Sequence, residues 1–207
     1  MNSMNEETLQ QPVIGSVLRA STVGFVCGTR SQEIAHPSFG AFVRTRHGQL
    51  NDIDVIGLIH TISIDDDPLV RQLILANNIK PSVERDQREN RMVPVEIGVV
   101  NVGYVQVGRI YYNLPPRPPL SLDPVQLCDT ETILRFTERL DFLRLVLNAN
   151  GDFPTEELVA AALLQAASVR PPGERLDFLI GAGRRLTGLL ANDLPRLQHV
   201  LQLIKPA

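Results

Sequence analysis

Short apolar segments dominate the first 128 residues, and most are rich in β-branched side chains and bounded by glycine, proline or polar residues. This pattern predicts β-strands. The predicted strands cover residues 13–19, 23–29, 41–45, 53–64, 93–100, 103–112 and 125–128. A hairpin turn is predicted at 101–103, and Gly57 inside the fourth segment indicates a bulge or a bend. About six short strands of this kind favour a small closed barrel, because closure leaves no sheet edge exposed.

An insertion at about 65–91 interrupts the strand pattern. It opens with Asp65-Asp66-Asp67-Pro68, and the apolar residues that follow are spaced as in a short helix. We interpret the three carboxylates as a complement to the helix dipole rather than as ligands of a divalent cation. Residues 77–91 are strongly polar, and we favour a mobile loop there over a segment that becomes ordered against a partner.

Helical periodicity replaces the strand pattern after Asp129, which is a good helix N-cap residue. Four apolar stripes with spacings of three and four residues follow. They contain Ile133, Phe136, Leu140, Leu143 and Leu147; the alanine-rich run 158–169; Leu176, Leu179, Gly183, Leu186 and Leu190; and Leu194, Leu197, Leu201 and Ile204. Because the connections are short, we predict an antiparallel four-helix bundle.

The predicted fold class is therefore α+β. A disordered tail at 1–12 precedes a barrel at 13–128, and a helical bundle occupies 129–207. The proline-rich segment 114–120 favours an extended backbone, and we interpret it as a stiff connection from the barrel to the bundle rather than as a ligand for a proline-binding domain.

Composition argues against several functional classes. The net charge of −3 over 207 residues argues against a protein that binds nucleic acid through a broadly basic surface. Cys27 and Cys128 lie in apolar runs, so we expect two buried, reduced thiols rather than a metal or redox site. Residues 1–11 lack the pattern of a signal peptide and no apolar run is long enough to cross a bilayer, so the expected compartment is the cytoplasm.

The sequence gives little support for an enzymatic activity. The four histidines are scattered, and we expect His60 to be a hydrogen-bonded core residue. Cys27 and His60 are an imaginable nucleophile and base, but nothing in the sequence places them together. There is no Gly-x-Ser-x-Gly nucleophile motif and no metal-ligand spacing. We therefore predict a protein that is not an enzyme and that has no cofactor and no metal.

Nucleic-acid binding is a second hypothesis. Arg44 and Arg46 lie near a predicted strand end, while Arg109 and Arg117 flank the predicted exit from the barrel. Small barrels can bind single strands through basic grooves and stacking aromatic rings. The rings available for stacking are Tyr104, Tyr111 and Tyr112, of which the last two are the preferred candidates. We favour solvated arginines, and clustering on one barrel face is the feature that would support binding.

The strand region resembles the HAS-barrel family, the small barrel of HerA-type DNA-translocating ATPases and of the ATP synthase catalytic core. The segments that carry the resemblance are Ile14-Gly15-Ser16-Val17, Phe25, Gly40-Ala41-Phe42-Val43, Gly57-Leu58-Ile59, residues 104–110, Pro115-Pro116-Arg117-Pro118-Pro119 and Val125. The HerA motor needs a phosphate-binding loop that contains lysine. Neither Lys80 nor Lys205 follows such a loop. The segment most similar to one is 181–188, and we interpret its glycines as residues that allow close helix packing.

Residues 109–147 also resemble a stand-alone bacterial form of this family. The resemblance therefore implies a barrel without the HerA ATPase core, in which the helical half replaces the motor. The leading hypothesis is a non-catalytic protein-interaction or assembly module. Its barrel would supply a protein-docking surface, and its bundle would supply either a second surface or self-association. A HerA-like ATPase or a nuclease is the partner that the resemblance implies. The alternative is a nucleic-acid-binding accessory protein in DNA repair or translocation, and an ATP-dependent enzyme is a third and weaker hypothesis.

Overall fold

The structure is a computed structural model that describes residues 13–30, 37–46, 53–64 and 94–205. Its strands are β1 (Val13–Ala20), β2 (Gly24–Arg30), β3 (Phe42–Arg46), β4 (Ile53–Ile64), β5 (Pro94–Gln106), β6 (Arg109–Tyr111) and β7 (Pro124–Leu127). Its helices are α1 (Thr130–Phe136), α2 (Leu143–Leu147), α3 (Thr155–Ser168), α4 (Pro172–Leu189) and α5 (Leu194–Leu203). The α+β class is confirmed.

Six of these strands form a closed antiparallel barrel. The hydrogen-bonded order is β2-β1-β7-β3-β4-β5, and β5 pairs with β2 from Gly24↔Val100 to Arg30↔Pro94 to close the ring. The short strand β6 extends β5 as a hairpin outside this ring. The predicted closed barrel is therefore confirmed, and the register shift between Ile56 and Gly57 confirms the predicted irregularity at Gly57.

The predicted turn at 101–103 is wrong, because β5 runs unbroken through it to Gln106. The turn lies instead at Val107 and Gly108, which both have positive φ, at 48° and 73°. Two consecutive positive φ angles are typical of a two-residue type I′ hairpin. Asn101 is not a turn residue because it is fully buried and its amide Nδ2 donates to the Thr22 carbonyl at 3.0 Å.

The proline-rich segment does not connect the barrel to the helices. It joins β6 to β7, and β7 pairs with β1 and β3 inside the barrel. Both ends of the segment therefore belong to the strand region, and Pro115 and Pro119 are buried. The chain enters the helical region only after β7, where Asp129 caps α1 by accepting a hydrogen bond from Thr132 N–H at 2.7 Å.

The first helical stripe does not form one helix, because the chain breaks between α1 and α2. The Thr137 hydroxyl donates back to the Ile133 carbonyl at 2.7 Å, and the Thr137 carbonyl accepts from the Arg170 guanidinium at 3.3 Å. The Thr137 carbonyl therefore accepts a hydrogen bond from a side chain just beyond the end of α3, rather than from a backbone N–H in a further turn of α1. The break also allows Phe142 to pack edge-on against Phe42 in the core.

The two larger of three hydrophobic clusters among the described residues meet at the barrel wall, and the third is a small group of Ile53, Val55 and Tyr104. The first fills the barrel interior and includes Ile14, Val17, Phe25, Ile97 and Val99. The second lies between the outer face of the barrel and the helices. It joins Phe42, Ile56, Leu58, Val100 and Val102 to helical residues that include Ile133, Phe136, Leu158 and Leu163. The helices therefore complete the burial of β3, β4 and β5.

Several predictions lie outside the described residues, namely the tail at 1–12 and the insertion with its short helix and polar loop. Within the part of the chain that is described there are five helices rather than four. The antiparallel four-helix arrangement stays a prediction.

Candidate functional site

Arg44 and Arg46 lie on β3 with their side chains on the outer face of the barrel, and both face carboxylates. The Arg46 Nε lies 3.0 Å from Asp54 Oδ1, and Arg44 lies 3.9 Å from Asp129. Burial alone would raise the pKa of Asp129, but the hydrogen bond from Thr132 N–H and the charge of Arg44 hold that pKa below its ordinary value. Part of the positive charge of this pair is therefore neutralised within the molecule.

Arg109 and Tyr111 lie on the opposite face of the sheet. Cross-strand pairing links Arg46, Asp54, Val105 and Ile110 on one side, so Gln106 with Arg109 and Tyr104 with Tyr111 lie on the other. The rings of Tyr104 and Tyr111 stack on each other with centroids 4.8 Å apart and planes 10° apart. Tyr104 is buried, so one face of Tyr111 is already covered.

Tyr112 and Arg117 have surroundings different from those of the other four predicted contact residues. The Tyr112 hydroxyl donates to the Phe136 carbonyl at 2.9 Å, and the Arg139 guanidinium lies over the Tyr112 ring at 5.6 Å. Tyr112 therefore connects the barrel to α1. Arg117 is exposed within the proline-rich segment. The six predicted contact residues are distributed over more than one face and do not form one basic surface.

Cys27 and His60, the hypothetical nucleophile and base, lie on different sides of the barrel wall. Cys27 packs inside the barrel, where burial raises its pKa to about 12. His60 lies at a register shift of β4, on the outside of the barrel, where its ring stacks on Phe153 with centroids 4.3 Å apart. Burial lowers the pKa of His60 and favours the neutral ring. Both cysteines are buried and free, as expected.

The glycines at 181, 183 and 188 all lie inside helix α4. A Cβ at Gly183 would lie 3.3 Å from Leu201, whereas none of the described atoms lies within 4 Å of a Cβ at Gly181 or Gly188. The helix-packing interpretation thus holds for Gly183 but is wrong for the other two. Across the described residues there is no group of three or more metal-ligating side chains.

A groove of about 610 Å³ lies between the barrel and the helical region. Its barrel wall comes from the end of β1, from β2 and from β5, and its helical wall comes from α2 and the segment before α3. Apolar lining residues include Val23, Val26, Leu114, Leu145, Ala149 and Phe153. Polar groups at its wall include His60, Asn101, Arg144, Asn148 and Asn150. This volume lies in the usual range of small-ligand sites.

A second surface feature is a row of exposed apolar residues on α4 and α5. Leu176 is 54% exposed, Ile180 is 45% exposed and Leu201 is 37% exposed. Leu176, Ile180 and Gly183 follow one another at helical spacing, and Leu201 of α5 lies beside Gly183. We call these four residues the apolar strip. Leu176 was predicted to be buried, and that prediction is wrong because the buried stripe of α4 runs through Leu179, Ala182 and Leu186 instead.

Sequence reasoning did not find the groove. Its walls are contributed by residues as far apart in the chain as Val23 and Leu145, which no local pattern connects. The strip was missed for another reason. Leu176 and Ile180 belong to a helix with many apolar positions, and only the packing of α3 and α5 decides which of them remain exposed.

None of the described helices is both long and apolar enough to cross a membrane. No protein-family model matches the chain, and no curated protein is significantly similar to it.

Proposed function

We propose that this protein is a non-catalytic protein-interaction or assembly module, and that the apolar strip is its docking surface. The observation that carries the proposal is the exposure of Leu176 and Ile180 on α4 and of Leu201 on α5, with Leu201 packed beside Gly183, one turn beyond Ile180. Contiguous exposed apolar side chains commonly mark interaction surfaces, because burying them against a partner is favourable by about 25 cal/mol per Å².

The identity of the partner rests on the resemblance alone. A HAS-type barrel followed by an antiparallel helical bundle in place of a motor would act as an accessory to a HerA-like ATPase or a nuclease. The closed barrel agrees with such a role, but closed barrels serve many functions. The strip belongs to the helical region, so the helices rather than the barrel would contact the partner.

Nucleic-acid binding has less support from the geometry. Arg44 and Arg46 lie on one face near carboxylates, while Arg109 and Tyr111 lie on the other face. A strand of DNA could not contact all four from one side. Anisotropy titrations of labelled single-stranded DNA at low salt should give no binding. Salt-sensitive binding that weakens in an Arg109→Ala variant would favour the alternative.

The interaction proposal is tested by copurification. The tagged protein is expressed in its native cells beside a Leu176→Glu/Ile180→Glu variant and a Val107→Glu control. Val107 is 80% exposed in the β5–β6 turn, far from α4 in the chain, so the control adds one carboxylate, against two in the double variant, at an exposed barrel site. Circular dichroism should show that all three proteins keep their helical content.

We expect a HerA-like ATPase or a nuclease to copurify with the parent and with the control, and to be lost from the double variant. Recovery of that partner with the double variant at the parent level would contradict the role of the strip. Recovery of metabolic enzymes alone with the parent would contradict the proposed partner.

A further inference from the structure

The groove between the barrel and the helices carries an inference that is independent of the apolar strip. We propose that it is a binding site for a small amphipathic anion, a molecule with an apolar body and one carboxylate, sulfonate or phosphate group. The argument rests on the shape of the groove, on the charge at its rim and on one unpaired polar group in its wall.

The shape of the groove favours a small molecule over a peptide strand. Both neighbours of β2 are occupied, since β1 pairs on one side and β5 on the other. A peptide therefore cannot add to the sheet here by strand pairing. The volume of about 610 Å³ and the apolar side chains on both walls suit a compact apolar body.

The charge at the groove favours an anion. Arg19 and Arg144 line it, and no carboxylate does among the residues that the structure describes. Arg19 is already held by Glu96, with two nitrogen–oxygen distances of 3.3 and 3.0 Å. Arg144 is exposed on α2 and has no ion pair with any described acidic residue. It is therefore the cation available to a ligand, with the amides of Asn148 and Asn150 nearby on the same wall.

Asn101 supplies a second reason to expect a ligand. It forms part of the groove wall and is fully buried. Its Nδ2 donates to the Thr22 carbonyl, but its Oδ1 is buried without a hydrogen-bond partner. Buried polar atoms are nearly always paired, so an unpaired one at a cavity wall suggests a missing donor. Because this oxygen is shielded from solvent, a ligand hydroxyl or amide in the groove would reach it only after a local shift of the wall.

The test uses two related fluorescent probes. One is 8-anilinonaphthalene-1-sulfonate, which joins an aromatic body to one sulfonate. The other is N-phenyl-1-naphthylamine, which has the same ring system without the charge. Both are titrated into the full chain, and the stoichiometry is measured by calorimetry. The variants are Arg144→Gln, which removes the cation, and Asn148→Trp, which fills the groove from an exposed position. Arg184→Gln, an exposed arginine of α4 outside the groove, is the charge control.

We expect the sulfonate probe to bind at one site per chain. Arg144→Gln should weaken it about tenfold or more, since hydrogen bonds to charged groups are worth that much in affinity, and should leave the uncharged probe unchanged. Asn148→Trp should weaken both probes, and Arg184→Gln should weaken neither.

Three results would overturn the proposal. One is the absence of saturable binding by the sulfonate probe. A second is equal binding of that probe to the parent and to Arg144→Gln, which would leave an apolar groove without anion recognition. The third is binding that Asn148→Trp does not affect, which would place the site elsewhere. Thermal melts of each variant confirm that lost binding does not reflect lost folding.

Discussion

Individual residues at the contact between the barrel and the helices determine how closely the two can approach. Gly40 is one of them, because a Cβ there would lie 2.4 Å from the Ala161 Cβ on α3. Arg170 acts within the helical region instead, where its guanidinium is 3.6 Å from the Phe178 ring centroid and donates to the Thr137 hydroxyl at 2.8 Å. Gly40 therefore allows α3 to pack closely on the barrel, while Arg170 holds the end of α3 to α4 and to the segment after α1.

Substitution of Gly40 should be more costly than substitution of a second glycine with the same backbone geometry. Gly40 and Gly108 have positive φ angles of 81° and 73°, but no described atom lies within 4 Å of a Cβ placed at Gly108. Gly108→Ala should therefore lose about 1 kcal/mol of unfolding free energy through backbone strain alone. Gly40→Ala should lose about 2–4 kcal/mol, because overpacking against Ala161 adds to the strain. Urea unfolding of both variants measures the difference, and equal losses would contradict the close contact.

His60 should make the stability of the protein depend on pH. Burial lowers the pKa of His60 in the folded state below its ordinary value of 6.5. The neutral ring is therefore favoured by folding, and its contribution is complete above pH 6.5 and decreases as pH falls toward the folded pKa. His60→Phe keeps a ring that can stack on Phe153 but cannot titrate. From pH 7.5 to pH 5 the parent should lose more unfolding free energy than this variant, as measured by urea unfolding. Parallel losses would contradict the buried neutral histidine.

At the scale of elements, the β5–β6 hairpin and the gap between α1 and α2 separate what the sequence could predict from what it could not. The bounds of β4 follow from a run of β-branched residues, and the capping of α1 follows from Asp129. The turn was misplaced because Asn101 and Gly103 are residue types that favour turns, whereas the actual turn contains Val107, which disfavours positive φ. The helix break was missed because the apolar spacing from Ile133 to Leu147 continues across it.

The turn residue Val107 offers an element-scale prediction. A β-branched residue at φ 48° is strained, and type I′ turns prefer asparagine before glycine. Val107→Asn should therefore raise the unfolding free energy by about 1 kcal/mol. Thermal and urea unfolding measure the gain. A loss of stability would indicate that the exposed Val107 side chain has a packing role.

The candidate sites could be predicted even less well than the elements. The sequence could not show whether the predicted arginines share one face of the barrel. Arg44 and Arg109 lie on opposite faces of the sheet, because cross-strand pairing, which one sequence does not reveal, determines the face. The groove depends on Val23 approaching Leu145 in the folded chain. Cys27 and Cys128 were predicted correctly because their apolar neighbours alone indicate burial.

At the scale of the whole molecule, the barrel and the helices share a hydrophobic core. Phe42 of β3 packs edge-on against both Phe136 and Phe142, with ring centroids 6.1 and 5.8 Å apart. The buried outer faces of β3, β4 and β5 would be exposed to water if the helices separated from them. We therefore infer that the two regions unfold together and hold the apolar strip and the groove in a fixed relation.

Urea unfolding followed by two probes tests this claim most directly. Near-ultraviolet circular dichroism reports the tyrosines, namely the stacked Tyr104 and Tyr111 at the barrel together with Tyr112 beside α1, and the signal at 222 nm reports the helices. The shared core predicts coincident transitions with one midpoint, and a Phe42→Ala variant should lower both midpoints together. Loss of the helical signal at a lower urea concentration than the tyrosine signal would contradict the claim.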